Sequence, residues 1–246
     1  ALPIVKRERP LALRWHPNPA QELILYSSIT QENLQLKAIN LRGQQFKVSN
    51  FDGINLLPSF SNDGSTMVYC RSDQHGVRLF YCTQQPDGST NYKPLLIPEG
   101  NNLSPIIVNN KDVIFCSDAH QRTPRIYYYH HDTHAVECLT PKSYATSPSW
   151  CAHTNQLAYC KLTGGTMQIY SLDLGTRQEK QLTKNLKDKD NCSWSPHGQY
   201  ITYTHQRRIA IKNIITGEEW YVTPSEISCS YPAWSPRFIP EFEGHK

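Results

Sequence analysis

Ser193-Trp194-Ser195-Pro196-His197-Gly198-Gln199-Tyr200-Ile201-Thr202-Tyr203 joins an aromatic-anchored turn to a β-branched run that ends on an aromatic. Variants of the turn recur through the chain: Arg14-Trp15-His16-Pro17, Ser59-Phe60-Ser61-Asn62-Asp63-Gly64, Ile106-Ile107-Val108-Asn109-Asn110, Ser149-Trp150-Cys151-Ala152-His153 and Ala233-Trp234-Ser235-Pro236. The anchors at 15, 60, 107, 150, 194 and 234 are separated by steps of 45, 47, 43, 44 and 40. A period in the forties marks stacked or radially arranged units, each too small to bury a core alone.

Each unit reads as four short strands. The second ends on an aromatic, at Tyr26, Tyr69, Phe115, Tyr159 and Tyr203. A third follows, as in Arg78-Leu79-Phe80-Tyr81 and Arg125-Ile126-Tyr127-Tyr128-Tyr129, then a turn such as Arg42-Gly43, Asp132-Thr133 or Thr216-Gly217. The fourth closes on a small polar stop: Cys138-Leu139-Thr140, Gln181-Leu182-Thr183 and Tyr221-Val222-Thr223. Short β-branched and aromatic runs between turn residues are strands, and no stretch holds helical periodicity over ten or so residues. The chain is therefore all-β, a β-propeller of four-stranded blades. It reads as one domain over 1–246, with repeats at roughly 12–50, 56–97, 103–140, 146–183 and 190–223 and a closing strand at 229–236. Phe60, Trp150 and Trp194 are expected to pack between neighbouring blades.

With 246 residues and a formal net charge of +4, the chain lacks the one-signed concentration of charge that nucleic-acid binders use; its charged cluster, Lys184 to Asp190, mixes signs. No run of about eighteen apolar residues could span a bilayer. The first residues, Ala1 to Lys6, lack the form of a secretory signal, so any export signal is expected to have been removed or to lie outside this chain. Of eight cysteines, Cys70, Cys116 and Cys160 share one repeat position and read as small buried residues, while Cys70 and Cys82 on adjacent strands are candidates for a disulfide. His130, His131 and His134 read as a solvated hairpin tip rather than a metal site. Neither a zinc-like Cys/His spacing, a Gly-x-Ser-x-Gly elbow, a phosphate-binding glycine loop nor a His-Glu-x-x-His is present, so neither metal, cofactor nor catalysis is expected. Asp63-Gly64 reads as the hairpin turn between first and second strands.

The segments Pro148-Ser149-Trp150, Ser193 to Tyr203 and Tyr231-Pro232-Ala233-Trp234-Ser235-Pro236 resemble the P-x-W-S-P-D-G-x-x-I-x-Y unit of TolB-type propellers, over essentially residues 3 to 238. The resemblance implies six blades, with the last strand returning to complete the first. Only about a dozen residues precede Trp15, room for one strand over Pro3-Ile4-Val5-Lys6, so the first blade is incomplete here. The chain then reads as a fragment of a longer protein, the alternative being closure as five blades with an extra strand.

The resemblance further implies a non-catalytic periplasmic protein of the Tol-Pal envelope system whose channel mouth grips the lipoprotein Pal. Loops from each outer strand to the next inner strand converge on that mouth, held by the blades. Carried over by loop position, the residues expected to line it are Asp52, Asn55, Asn101, Asn102, Tyr144, Thr146, Asp188, Asp190, Asn191, Glu226 and Ser228. Two alternatives remain: a gating propeller of a prolyl-oligopeptidase-like serine peptidase, whose repeats carry the same unit, and a general protein-interaction scaffold.

Overall fold

The computed structural model of the protein describes residues 9–29, 34–49, 53–73, 76–85, 87 and 89–236. Across them run five antiparallel four-stranded sheets, each a meander in chain order. Blade one holds β1 (Arg9–Trp15), β2 (Leu23–Ile29), β3 (Leu34–Asn40) and β4 (Gln45–Lys47). Blade two holds β5 (Ile54–Phe60), β6 (Thr66–Asp73), β7 (Gly76–Gln84) and β8 (Thr90–Pro94), and blade three β9 (Asn102–Val108), β10 (Asp112–Ser117), β11 (Arg125–Tyr129) and β12 (Val136–Cys138). Blade four holds β13 (Ala145–Cys151), β14 (Gln156–Thr163), β15 (Thr166–Asp173) and β16 (Glu179–Gln181), and blade five β17 (Lys189–Trp194), β18 (Tyr200–His205), β19 (Arg208–Asn213) and β20 (Glu219–Tyr221). Five complete blades agree with the alternative drawn from the sequence, and the expected strand at Pro3–Lys6 lies outside the described residues.

The second strands are apolar on both faces because each blade is sandwiched between two others. In β6, Val68 and Cys70 join the core shared with blade three, while Met67 and Tyr69 join the core shared with blade one. The periodic aromatics fill these cores: Tyr26, Tyr69, Phe115, Tyr159 and Tyr203 are all fully buried. Burying such a ring contributes about 1.5–3 kcal/mol each. The anchors stand nearer the axis. Phe60 packs on the core of blades one and two, Trp150 on that of three and four, and Trp194 within that of four and five. Trp194 is buried, Phe60 and Trp150 are half-buried, and all three line the channel.

Cys70 and Cys82 occupy opposite faces of blade two, one in each neighbouring core, which rules out the candidate disulfide; both are free thiols. Cys70, Cys116 and Cys160 are buried as the repeat implied. In the third hairpin His131 lies 3.3 Å from the Tyr81 hydroxyl and His134 2.6 Å from that of Tyr129, so two of the three imidazoles have hydroxyl partners. Among the described residues no group of three or more His, Cys, Asp or Glu could hold a metal ion. Asp63-Gly64 does form the hairpin turn: Ser61 Oγ and Ser65 N both donate to Asp63 Oδ1, and Gly64 at φ 74° passes so close to His16 of blade one that a Cβ would lie 2.6 Å from its ring.

The fourth strands are only three residues long in four blades, so each leaves a third-strand amide without a ladder partner. The small polar stops supply it. Leu36, Ile126, Ile169 and Ile209 each donate their N–H at 2.9 Å to the hydroxyl of Ser49, Thr140, Thr183 and Thr223 respectively.

After blade five the chain turns inward. Cys229 N donates to Arg207 O at 2.7 Å, Trp234 Nε1 donates to Ser193 O at 3.1 Å, and Trp234 stacks on Tyr200. Ser235 and Pro236 border a small pocket with Trp15, His16 and Leu41 of blade one. Residues 229–236 therefore stand where a sixth inner strand belongs, between blades five and one, although they pair with no strand among the described residues.

The hydroxyl stops give a direct test. Replacing Thr183 by Val removes the acceptor of a buried amide and should lower the unfolding free energy by about 1–3 kcal/mol in urea titrations, with Thr183→Ser retaining most of it.

Candidate functional site: the channel and its upper mouth

Every inner strand breaks its register near the middle: between Leu11 and Arg14, Leu56 and Ser59, Thr146 and Ser149, Asp190 and Ser193, and opposite Ile114 to Cys116 in blade three. At each break one residue is left-handed, Ala12, Leu57, Ser104, Ser147 and Asn191, with φ between 51° and 55°. Tyr231 repeats it in the closing segment at 57°. In four of the six cases the next residue is proline, at 58, 105, 148 and 232. Proline has no N–H to give a ladder and is tolerated at bulges, so the proline of each anchor motif fixes where pairing stops.

The six bulge residues gather on the axis around a narrow pocket of about 30 Å³. Below it, toward the anchors, the channel widens to a chamber of about 320 Å³ walled by Trp15, Phe60, Trp150, Trp194 and Trp234. Arg14 lines both and is the one charged side chain lining either among the described residues. Its Nη1 donates to Leu13 O at 3.0 Å, and burial pulls its pKa below the ordinary arginine value. The guanidinium remains protonated.

The expected mouth residues divide into scaffold and surface. Asn55 is fully buried in β5 with Nδ2 3.4 Å from Gln35 Oε1 of blade one, and Asn102 is buried with Nδ2 donating to Val77 O, Pro98 O and Gly100 O. Thr146 is half-buried in β13 opposite Cys160. These three belong to the blades rather than the mouth surface, because the inner strand begins earlier than the loop reading allowed. Asp52 lies outside the described residues.

The remaining residues face solvent or the axis. Asn101 donates through N and Nδ2 to the Asp118 carboxylate, both at 2.7 Å, and those bonds hold Asp118 below the usual carboxylate value against its own desolvation. Tyr144 is exposed, its carbonyl accepting from Leu162 N. Asp188 accepts from Met167 N at 2.8 Å, and Asp190 accepts from Ser147 Oγ at 2.7 Å, tying blades four and five at the bulge. Asn191 is a bulge residue on the axis. Glu226 accepts from Ser225 and Ser228 from Arg207 Nε.

Sequence reasoning missed Lys189, which it placed only in a charged cluster of mixed sign. It is fully buried, and its ammonium points back at the loop before it, donating to Lys187 O and Asn185 Oδ1. Desolvation lowers its pKa. With Gln168 Nε2 donating to Asn185 O at 2.7 Å, loop 184–191 is fastened from within and from blade four. The upper mouth thus offers polar and aromatic groups on braced loops.

The sequence pattern of the TolB beta propeller domain matches residues 4–237. The chain belongs to this family. Against the curated "Tol-Pal system protein TolB" of Francisella tularensis subsp. holarctica it is 29% identical over 112 residues, 41% of this chain and 26% of that protein. TolB of Acinetobacter baumannii superimposes with a TM-score of 0.81 at 22% identity, covering 94% of this chain and 58% of that one. A puromycin-hydrolyzing peptidase of Mycobacterium tuberculosis superimposes with a TM-score of 0.70 at 12% identity, over 89% of this chain and 37% of that one. The chain thus spans about a quarter of the Francisella protein and less than two thirds of the Acinetobacter one, and the two structural likenesses speak to the fold.

Beside the braced loop, His205 pairs with Lys189 across β17 and β18 and shares a 2.7 Å hydrogen bond with the Tyr221 hydroxyl. Burial, then the charge of Lys189, holds it below its ordinary value of 6.5, so the folded ring is neutral. Unfolding lets it take a proton. The stability it contributes is complete above about 6.5 and declines as pH falls through that value toward the lowered folded one. Unfolding free energy should drop as pH falls below about 6.5, and His205→Gln should flatten that slope.

Proposed function

We propose that this TolB-type propeller is a non-catalytic, protein-binding component of the periplasm that grips Pal through its upper mouth. The observation that carries the reading is the family match across nearly the whole chain, joined to a mouth whose loops are braced by their own side chains. A rigid rim spends little ordering entropy on capture, which suits recognition of a folded partner. The name of the Francisella relative puts that protein in a Tol-Pal system, and the proposal extends the same role to this chain. No helix among the described residues is long and apolar enough to cross a membrane.

Contact energy at such a mouth should concentrate in a few residues. The exposed Tyr144 and Glu226 are the sharpest probes, since neither side chain braces a strand. Calorimetric titration with Pal should show the Tyr144→Ala, Glu226→Ala double variant weakened by about tenfold or more, about 1.4 kcal/mol. Lys180→Ala on the outermost strand of blade four should bind as the parent does. Weakening by the Lys180 variant alone would move the site to the blade edges.

A second reading rests on the likeness to the peptidase propeller. A chain with that role would carry an α/β-hydrolase domain elsewhere in its gene, with its own nucleophile elbow. Under the proposal, the purified propeller turns over no ester, peptide or glycoside substrate. Turnover that co-purifies with the chain and disappears with an active-site serine reagent would favour the peptidase reading.

A further inference from the structure

The mouth is not the only place where this fold presents chemistry. Below the bulge ring sits a chamber whose electrical balance is incomplete. Its described lining contains one guanidinium, Arg14, and no carboxylate. Arg14 has five N–H donors, and among the described residues its hydrogen bond goes to the neighbouring carbonyl of Leu13. Leaving a partly desolvated cation so sparsely matched is costly, and the chamber it lines has room for an acceptor.

We propose that the lower chamber is a binding site for a carboxylate, held by the Arg14 fork. A single guanidinium matches one negative charge, and its planar pair of N–H groups matches the two oxygens of a carboxylate. A phosphate dianion would leave charge unmatched. The walls specify the rest of the ligand: Trp15, Phe60, Trp150 and Trp234 offer aromatic surface with Ser149 and Ser193 beside them, so the acid carries an apolar group with polar atoms next to it. The chamber volume, about 320 Å³, is that of a small-molecule site. Pro17, Asn62, Ala152 and Pro196, from the first-to-second-strand turns, border it, so it is reached from the face opposite the upper mouth. The carboxylate has two possible sources, a free small acid or the C-terminus of a polypeptide, and the site does not depend on what the upper mouth binds.

Hexanoate, with neutral hexanamide as its control, tests the charge; N-acetyl-Leu-Leu and its C-terminal amide test the polypeptide source. Binding is read by calorimetry and by the tryptophan fluorescence of the chamber walls. The expected result is saturable binding of hexanoate or of the peptide acid, with the matching amide weaker by about tenfold or more. Arg14→Gln should weaken the acid to the level of the amide, and Arg14→Lys should recover part of it. Binding of the peptide acid alone assigns the site to a chain terminus; binding of both admits the free acid. The proposal is overturned if neither acid binds, or if each amide binds as well as its acid. The acid-to-amide ratio is measured on the unaltered protein, so it decides the matter even where an Arg14 variant fails to fold. Pal titration of the same variants keeps the two sites distinct, since loss here with unchanged Pal affinity speaks only to the chamber.

Discussion

The left-handed residue in the middle of each inner strand is the constraint on which the channel depends. A non-glycine residue held there costs about 1–2 kcal/mol, and the chain accepts that cost at Ala12, Leu57, Ser104, Ser147, Asn191 and Tyr231. In return the strand bends and twists sharply where it passes the axis. Its first half stays paired under the upper loops, and its second half swings the anchor onto the next core. Without the bulge, one uninterrupted ladder would carry the anchor to the wrong face, because a one-residue change of register inverts every side chain. The cost is met by the cores between blades, where each second-strand aromatic is buried completely.

The repeat was legible because turns, aromatics and polar stops are each tied to a residue type by one dominant physical demand. Tyr or Phe fills the largest hole in the core, Asp-Gly or Asn-Asn makes a tight hairpin, and a hydroxyl caps a short outer strand. The bulge residues obey a backbone demand that five chemically different side chains satisfy, so their common role left no compositional trace. Its signal lay one position later, in the prolines. Asn55 and Asn102 read as mouth residues because polar loop-edge residues usually face water; in the fold the Asn55 amide faces Gln35 of blade one and the Asn102 amide donates to backbone carbonyls. Lys189 and Arg14 were illegible for a related reason. Burial of a cation is decided by which carbonyls, walls or empty volumes the fold places around it, and these come from segments far away in the chain.

The two ends of the channel are built on different principles. Above, carboxylates and amides are spent on bracing: Asp118, Asp188 and Asp190 each accept from a backbone or hydroxyl donor and keep an exposed edge toward solvent. Below, aromatic rings and small polar side chains share the walls and the described lining holds no carboxylate, with one cation at the boundary. A folded partner matches the first arrangement and a small amphiphilic group the second. That asymmetry follows from the chain direction, since long outer-to-inner loops fall on one face and tight hairpins on the other.

The closing segment gives the ring a seam. Elsewhere neighbouring blades meet through extended aromatic cores, whereas at this junction the described contacts include the Cys229 N bond to Arg207 O, the Trp234 indole hydrogen bond, its stack on Tyr200, and the pocket edge formed by Ser235 and Pro236. Trp234 is at once a clasp on blade five and a wall of the chamber. Whatever presses on that wall therefore bears directly on the clasp.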